Sequence, residues 1–176
     1  MGPMLFDDIK PQLRYKHIFL DTNIIIDAYK SPDAFKELFE QLQSAPNALT
    51  ISWHVRFELF RKAYEQEYRD RLEKFLEALD IVTLPLGDEV SFYKNALAVA
   101  QAYTKKKLKA PSFVDCMIAA YAKRYTNDLF ILTRNHCDFT LFLFDRVSTC
   151  AVDNDEDVLA IALYKYNNKK ADILGL

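Results

Sequence analysis

The chain has 176 residues, of which 51% are hydrophobic and 27% charged, with 13 Phe and 10 Tyr. This length and apolar content suit one folded domain with a substantial core and exclude a disordered chain or a scaffold held by disulfides. The net charge of -2 excludes a general polyanion-coating protein, so any nucleic-acid contact has to rest on a local patch.

Cys116, Cys137 and Cys150 are odd in number and have no paired metal-ligand spacing, and His17, His54 and His136 are scattered, so neither a zinc site nor a disulfide framework is expected. No apolar run has the length of a membrane span or a secretory leader, which makes the cytoplasm the expected location and leaves the membrane out as a partner.

In chain order, His17-Ile18-Phe19-Leu20 reads as a buried strand that delivers Asp21, Thr22 and Asn23 at its end. Ser31-Pro32-Asp33 supplies an N-cap, a proline at the first helical position and an acid in the first turn, predicting a helix to about Gln43. Leu49 to Ser52 reads as a short strand. Trp53 to about Leu79 lacks Pro and Gly and carries helical apolar spacing, so it is one long helix or two joined ones. Its outer face offers Glu65–Arg69, Glu67–Arg71 and Asp70–Lys74 at four-residue spacing. Ile81 to Leu86 is a strand entering a loop, Asp88 to about Lys107 a helix rich in alanine, and Ser112 opens the next helix after Pro111. Leu129 to Thr133 and Val147 to Val152 are the last two expected strands, followed by a short helix near Glu156 to Tyr164 and a polar tail. Strands alternating with helices imply a mainly parallel sheet covered on both faces.

The acids carry the chemical interest. Ligands in open parallel sheets bind beyond the carboxyl ends of the strands, where Asp21 falls, although Asp21 could also cap the helix that follows. Thr22 and Asn23 either orient its carboxylate or serve as local turn residues. Ser112 and Asp115 have the spacing of a capping box, which is compatible with an anion or phosphate site at the same helix end. Glu58, among Arg56, Arg61 and Lys62, reads on its own as a surface ion-pair partner. Asp138 follows the strand ending in Thr133 and stands either in a turn or in a site, with Asn135 able to share or replace its role. Lys105, Lys106, Lys107 and Lys109 form a basic run just before the Asp115 helix, which would either hold a nucleic-acid backbone beside the acids or neutralise a helix C-terminus.

In this order Leu20-Asp21-Thr22-Asn23, Phe57-Glu58-Leu59, Ser112-Phe113-Val114-Asp115 and Thr133-Arg134-Asn135-His136-Cys137-Asp138 resemble the motifs of the PIN-domain family, over roughly residues 18–152. The resemblance implies a three-layer α/β/α sandwich around a central, mainly parallel sheet. It places the whole chain in one domain, with a core over about residues 17–152 and a C-terminal helix and tail over 153–176. It implies that Asp21, Glu58, Asp115 and Asp138 bind Mg²⁺ or Mn²⁺ and catalyse hydrolysis of RNA phosphodiester bonds, with Thr22, Asn23, Ser112, Thr133 and Asn135 in support. Stand-alone members are often toxins of toxin-antitoxin pairs, neutralised by a small partner and frequently dimeric, so RNA, a small antitoxin and a second copy are the partners implied. A catalytically silent PIN-like module for RNA binding or protein docking is the alternative. A phosphatase of the haloacid dehalogenase type fits poorly, because its second Asp, two residues after the first, is here Asn23.

Overall fold

The computed structural model describes residues 10–44, 46–154 and 156–176. Among these residues six strands form one sheet. They are β1 (His17–Leu20), β2 (Ala48–Ser52), β3 (Val82–Leu84), β4 (Leu129–Thr133), β5 (Phe144–Asp153) and β6 (Val158–Tyr166), in the spatial order β3-β2-β1-β4-β6-β5. The helices are α1 (Lys10–Leu13), α2 (Thr22–Lys30), α3 (Pro32–Ser44), α4 (Trp53–Phe60), α5 (Gln66–Ala78), α6 (Glu89–Lys105), α7 (Phe113–Arg124) and α8 (Asn168–Ile173). Pairing is parallel from β3 through β2 and β1 to β4, and antiparallel where β6 joins β4 and β5. Flanked by helices, this mixed but mostly parallel sheet is the three-layer α/β/α architecture.

The parallel half positions the site. Leu20 of β1 is in register with Leu132 of β4, and the amide of Asp21 donates to the Leu132 carbonyl at 3.1 Å, so the residues that follow both strands emerge side by side. Every residue of β4 is buried, as expected for a central strand covered on both faces. Helix α7 is buried from Cys116 to Ala122, and Ala119 and Ala120 in that run have no bulk beyond Cβ to hold it off its neighbours. Such all-round burial explains the absence of a clean amphipathic stripe there.

Two expectations about chain order are corrected. The segment expected to form a short helix near Glu156 to Tyr164 is instead β6, hydrogen-bonded between β4 and β5. Its interior position buries Ile161, Ala162, Leu163 and Tyr164 in succession, and a continuous apolar run of this length has no period that separates a buried strand from a buried helix. The core therefore extends past residue 152 through β6 to Ala171, with α8 as the terminal helix.

The stretch from Trp53 to Leu79 is two helices. Between α4 and α5, Ala63 is buried, and the guanidinium of Arg69 donates to the carbonyls of Ala63 (3.1 Å) and Tyr64 (3.3 Å), satisfying groups a continuous helix would have bonded internally. Arg69 is thereby drawn to the turn between the two helices, whereas Glu67 and Arg71 form the anticipated pair at 2.9 Å. Arg56, expected beside Glu58, pairs with Glu73 of α5 instead.

Candidate active site

Asp21 is 3% exposed at the end of β1 and occupies the N-cap position of α2 without capping it through its side chain. Its carbonyl accepts the first helical bond, from Ile24 at 3.0 Å. The carboxylate is turned instead to Thr133 Oγ1, which donates to Oδ2 at 2.6 Å, and to Asn23 Nδ2, which donates to the same oxygen. Burial drives the Asp21 carboxyl above the usual carboxylate range, opposed by these hydrogen bonds.

Glu58, half-buried on α4, accepts from Thr22 Oγ1 at 2.6 Å, so Thr22 orients Glu58 while Asn23 and Thr133 orient Asp21. Asp115 completes a capping box: Ser112 Oγ accepts from the Asp115 amide at 3.2 Å, and Asp115 Oδ2 accepts from the Ser112 amide at 3.3 Å. Desolvation, reinforced by the charges of Asp21, Asp138 and Glu58 and opposed by the Ser112 hydrogen bond, pushes the Asp115 carboxyl up to about 7. Capping and membership of the acid cluster therefore coexist in one side chain.

These acids open on one cavity of about 360 Å³, lined by Asp21, Glu58 and Asp115 with Asn23, Ser112 and Asn135. Asp138 does not line it; Asn135 does, and its amide donates to Asp138 Oδ2. The structure thus brings together carboxylates from the end of β1, from α4 and from the start of α7, with the loop after β4 as the fourth side.

A family model for the PIN domain matches residues 18–136, well over half of the chain. The chain belongs to the PIN-domain family. Members of this family are nucleases, hydrolases of phosphodiester bonds. No curated protein matches the chain in sequence. Among solved structures, the crystal structure of VapBC2 from Rickettsia felis bound to a DNA fragment from its promoter is similar, with a TM-score of 0.49, 24% identity, and coverage of 60% of this chain and 79% of that one.

The lysine run lies outside the lining of the acid cavity. Lys105, Lys106, Lys107 and Lys109 are exposed at and beyond the end of α6, and none of them lines the acid cavity. Lys105 sits in the last turn of α6, where a cation complements the exposed carbonyls. Among the described residues, the cations that line the acid cavity are Arg61 and Lys62. Their signal in the sequence is their spacing, three and four positions after Glu58 and so on its side of a helix, a pattern that an ordinary surface ion pair shares.

The donor set suits a hard divalent cation. It is all oxygen, and carboxylates that share one field resist ionising together unless a cation offsets them. Among the described residues no three His, Cys, Asp or Glu side chains are gathered as a ready ligand set. Each carboxylate is instead tied to a neutral neighbour: Asp21 to Thr133, Glu58 to Thr22, Asp115 to Ser112 and Asp138 to Asn135. Mg²⁺ is commonly held by one or two carboxylates and several waters, a demand these residues meet. Among the described residues no helix is long and apolar enough to cross a membrane.

Proposed function

We propose that this chain is a Mg²⁺- or Mn²⁺-dependent endoribonuclease whose site is built on Asp21, Glu58, Asp115 and Asp138. The observation that carries the reading is the convergence of Asp21, Glu58 and Asp115 from three separate elements on one cavity that also holds Arg61 and Lys62. One or two of the Asp21, Glu58 and Asp115 carboxylates would hold the cation directly and the rest through its waters, with Asp138 acting beside them through Asn135. When bound, such an ion polarises a phosphoryl oxygen and lowers the pKa of a coordinated water.

The chain's own residues supply orientation and charge. Thr133 and Asn23 fix the Asp21 carboxylate, Thr22 fixes Glu58, and Ser112 fixes Asp115. Arg61 and Lys62, both exposed, offset the repulsion that a phosphodiester backbone meets from the acids. The proton that Asp115 retains up to about pH 7 has to leave before its carboxylate can act as a ligand.

The test is cleavage of end-labelled single-stranded RNA with Mn²⁺, Mg²⁺ or EDTA, beside the Asp21→Asn and Asp115→Asn variants. Metal-dependent cleavage lost in both variants supports the reading. RNA binding without cleavage across several substrates moves it to a silent binding module, and cleavage that survives EDTA or both substitutions overturns the site. The family's small antitoxin partner and homodimer belong to the same proposal. Growth arrest on expression of the wild type but not of Asp21→Asn checks the toxin half.

A further inference from the structure

Next to the acid cavity lies a second cleft of about 390 Å³, walled by Trp53, Phe57 and Phe113 and sharing Glu58, Arg61 and Ser112 with it. Trp53, Phe57 and Phe113 are 60%, 67% and 58% exposed. Trp53 and Phe57 stand one turn apart on α4 and share a face, and Glu58 follows Phe57 directly. Phe113 opens α7 two residues before Asp115. Its ring is stacked against Tyr93 of α6, with centroids 6.1 Å apart and planes 22° apart, and meets His54 edge-on at 5.5 Å. These contacts hold Phe113 in place while more than half of it stays in water.

Three large aromatic residues stand in contact with solvent at one spot, whereas rings such as Phe19, Phe35 and Tyr121 are fully buried. A contiguous exposed apolar patch of this kind marks a binding surface. The chemistry around it narrows the ligand. The exposed Arg61 borders both cavities, and the Arg56 guanidinium, paired with Glu73, stands 5.7 Å from the Trp53 ring centroid. Ring faces beside cations take flat π-systems joined by an anionic chain, which describes single-stranded nucleic acid. Continuity with the acid cavity through Glu58, Arg61 and Ser112 favours this ligand over a docked protein, because one strand can run through two cavities that share a wall.

We propose that Trp53, Phe57 and Phe113 form a base-stacking subsite that takes an unpaired nucleobase next to the phosphate held at the acids. The proposal rests on the nuclease reading for the identity of its ligand. A base inside a duplex is already stacked on its neighbours and offers only its edges, so the subsite selects an unpaired or splayed nucleotide.

Trp53 is the chain's one tryptophan, which makes its fluorescence a direct reporter. The experiment titrates the full chain in EDTA with a short single-stranded RNA and with the same sequence as a duplex, following Trp53 emission. Saturable quenching by the single strand at far lower concentration than by the duplex is expected. Phe57→Ala and Phe113→Ala should each weaken single-strand binding about 5- to 150-fold, the usual effect of losing one stacked base. Both residues are largely in solvent, so folding is expected to survive, and circular dichroism checks it. No quenching, equal affinity for duplex, or unchanged affinity in both variants would overturn the subsite. So would a protein that self-associates through this face, with Phe57→Ala releasing monomers and leaving RNA affinity as it was. The two readings separate cleanly: metal-dependent cleavage without quenching removes the subsite alone, whereas quenching by RNA that is never cleaved keeps the subsite and removes the nuclease.

Discussion

Thr133 Oγ1 donates a 2.6 Å hydrogen bond to Asp21 Oδ2 across the seam between the ends of β4 and β1. Asn23 Nδ2 reaches both partners, Thr133 Oγ1 accepts from the Asn135 amide at 2.9 Å, and the Arg134 amide donates to Asn23 Oδ1 at 3.2 Å. Thr133→Val keeps the shape and removes the donor, leaving a buried carboxylate short of a partner. A loss of about 1–3 kcal/mol of stability is expected. Cleavage should fall roughly 10- to 100-fold, the usual effect of removing the group that orients a ligand. Urea unfolding and RNA cleavage rates check both, and Thr133→Ser should restore both.

The raised carboxyls make stability depend on pH. The folded protein keeps the Asp115 proton up to about pH 7, whereas the unfolded chain releases it near its ordinary value of 3.8. Between these values the folded state binds more protons than the unfolded one, so this contribution to stability is full in acid and is lost as pH rises. Asp21, also raised, acts in the same direction. Asp115→Asn carries no such cost. In EDTA its melting temperature should climb relative to wild type as pH rises through that window, and added Mg²⁺ should stabilise the wild type more strongly on the alkaline side. A gap between the two proteins that stays constant with pH would refute the assignment.

Arg61 and Lys62, rather than the lysine run, are expected to hold phosphate at the acids. Removing either cation should reduce the slope of log affinity against log salt by about one, with little change in sequence preference. Binding of a catalytically blocked protein to a short RNA over a range of salt reads this directly for Arg61→Ala and Lys62→Ala. Replacing Lys105, Lys106, Lys107 and Lys109 together should leave the slope for such a short strand nearly as it was, since none of them lines the cavity.

How far the sequence is legible follows from the kind of signal each residue gives. Asp21 can be placed because an apolar strand ending in Asp-Thr-Asn is local, and so can the capping box of Ser112 and Asp115. Glu58 has no local signature, since a helical Glu between arginines looks like any solvated face. Only its position on α4, directly after β2 in the parallel half of the sheet, turns it toward Thr22. Strand β6 is not legible because interior burial erases the alternation that marks a strand. The aromatic wall is hidden for a related reason: Phe57 shares the helical spacing of core residues, and nothing in the sequence says that it faces water.

Tyr103 ties α6 to the loop that carries Asp138. The ring is buried, its hydroxyl donates to the Asp138 carbonyl, and its oxygen accepts from the Thr140 amide at 3.3 Å and from Thr140 Oγ1 at 3.1 Å. Tyr103→Phe preserves the edge-on packing against Phe142 at 4.8 Å and cuts only the tether. A stability loss of about 1–3 kcal/mol is expected from the carbonyl and amide left unpaired. A purely structural tyrosine would stop there. Since Asn135 joins Asp138 to the cavity, a loosened loop should also raise the Mg²⁺ concentration needed for half-maximal cleavage, with a smaller change in the rate at saturating Mg²⁺. Cleavage measured across a Mg²⁺ series separates the two, because an unchanged half-maximal concentration would show that Asp138 keeps its place without Tyr103.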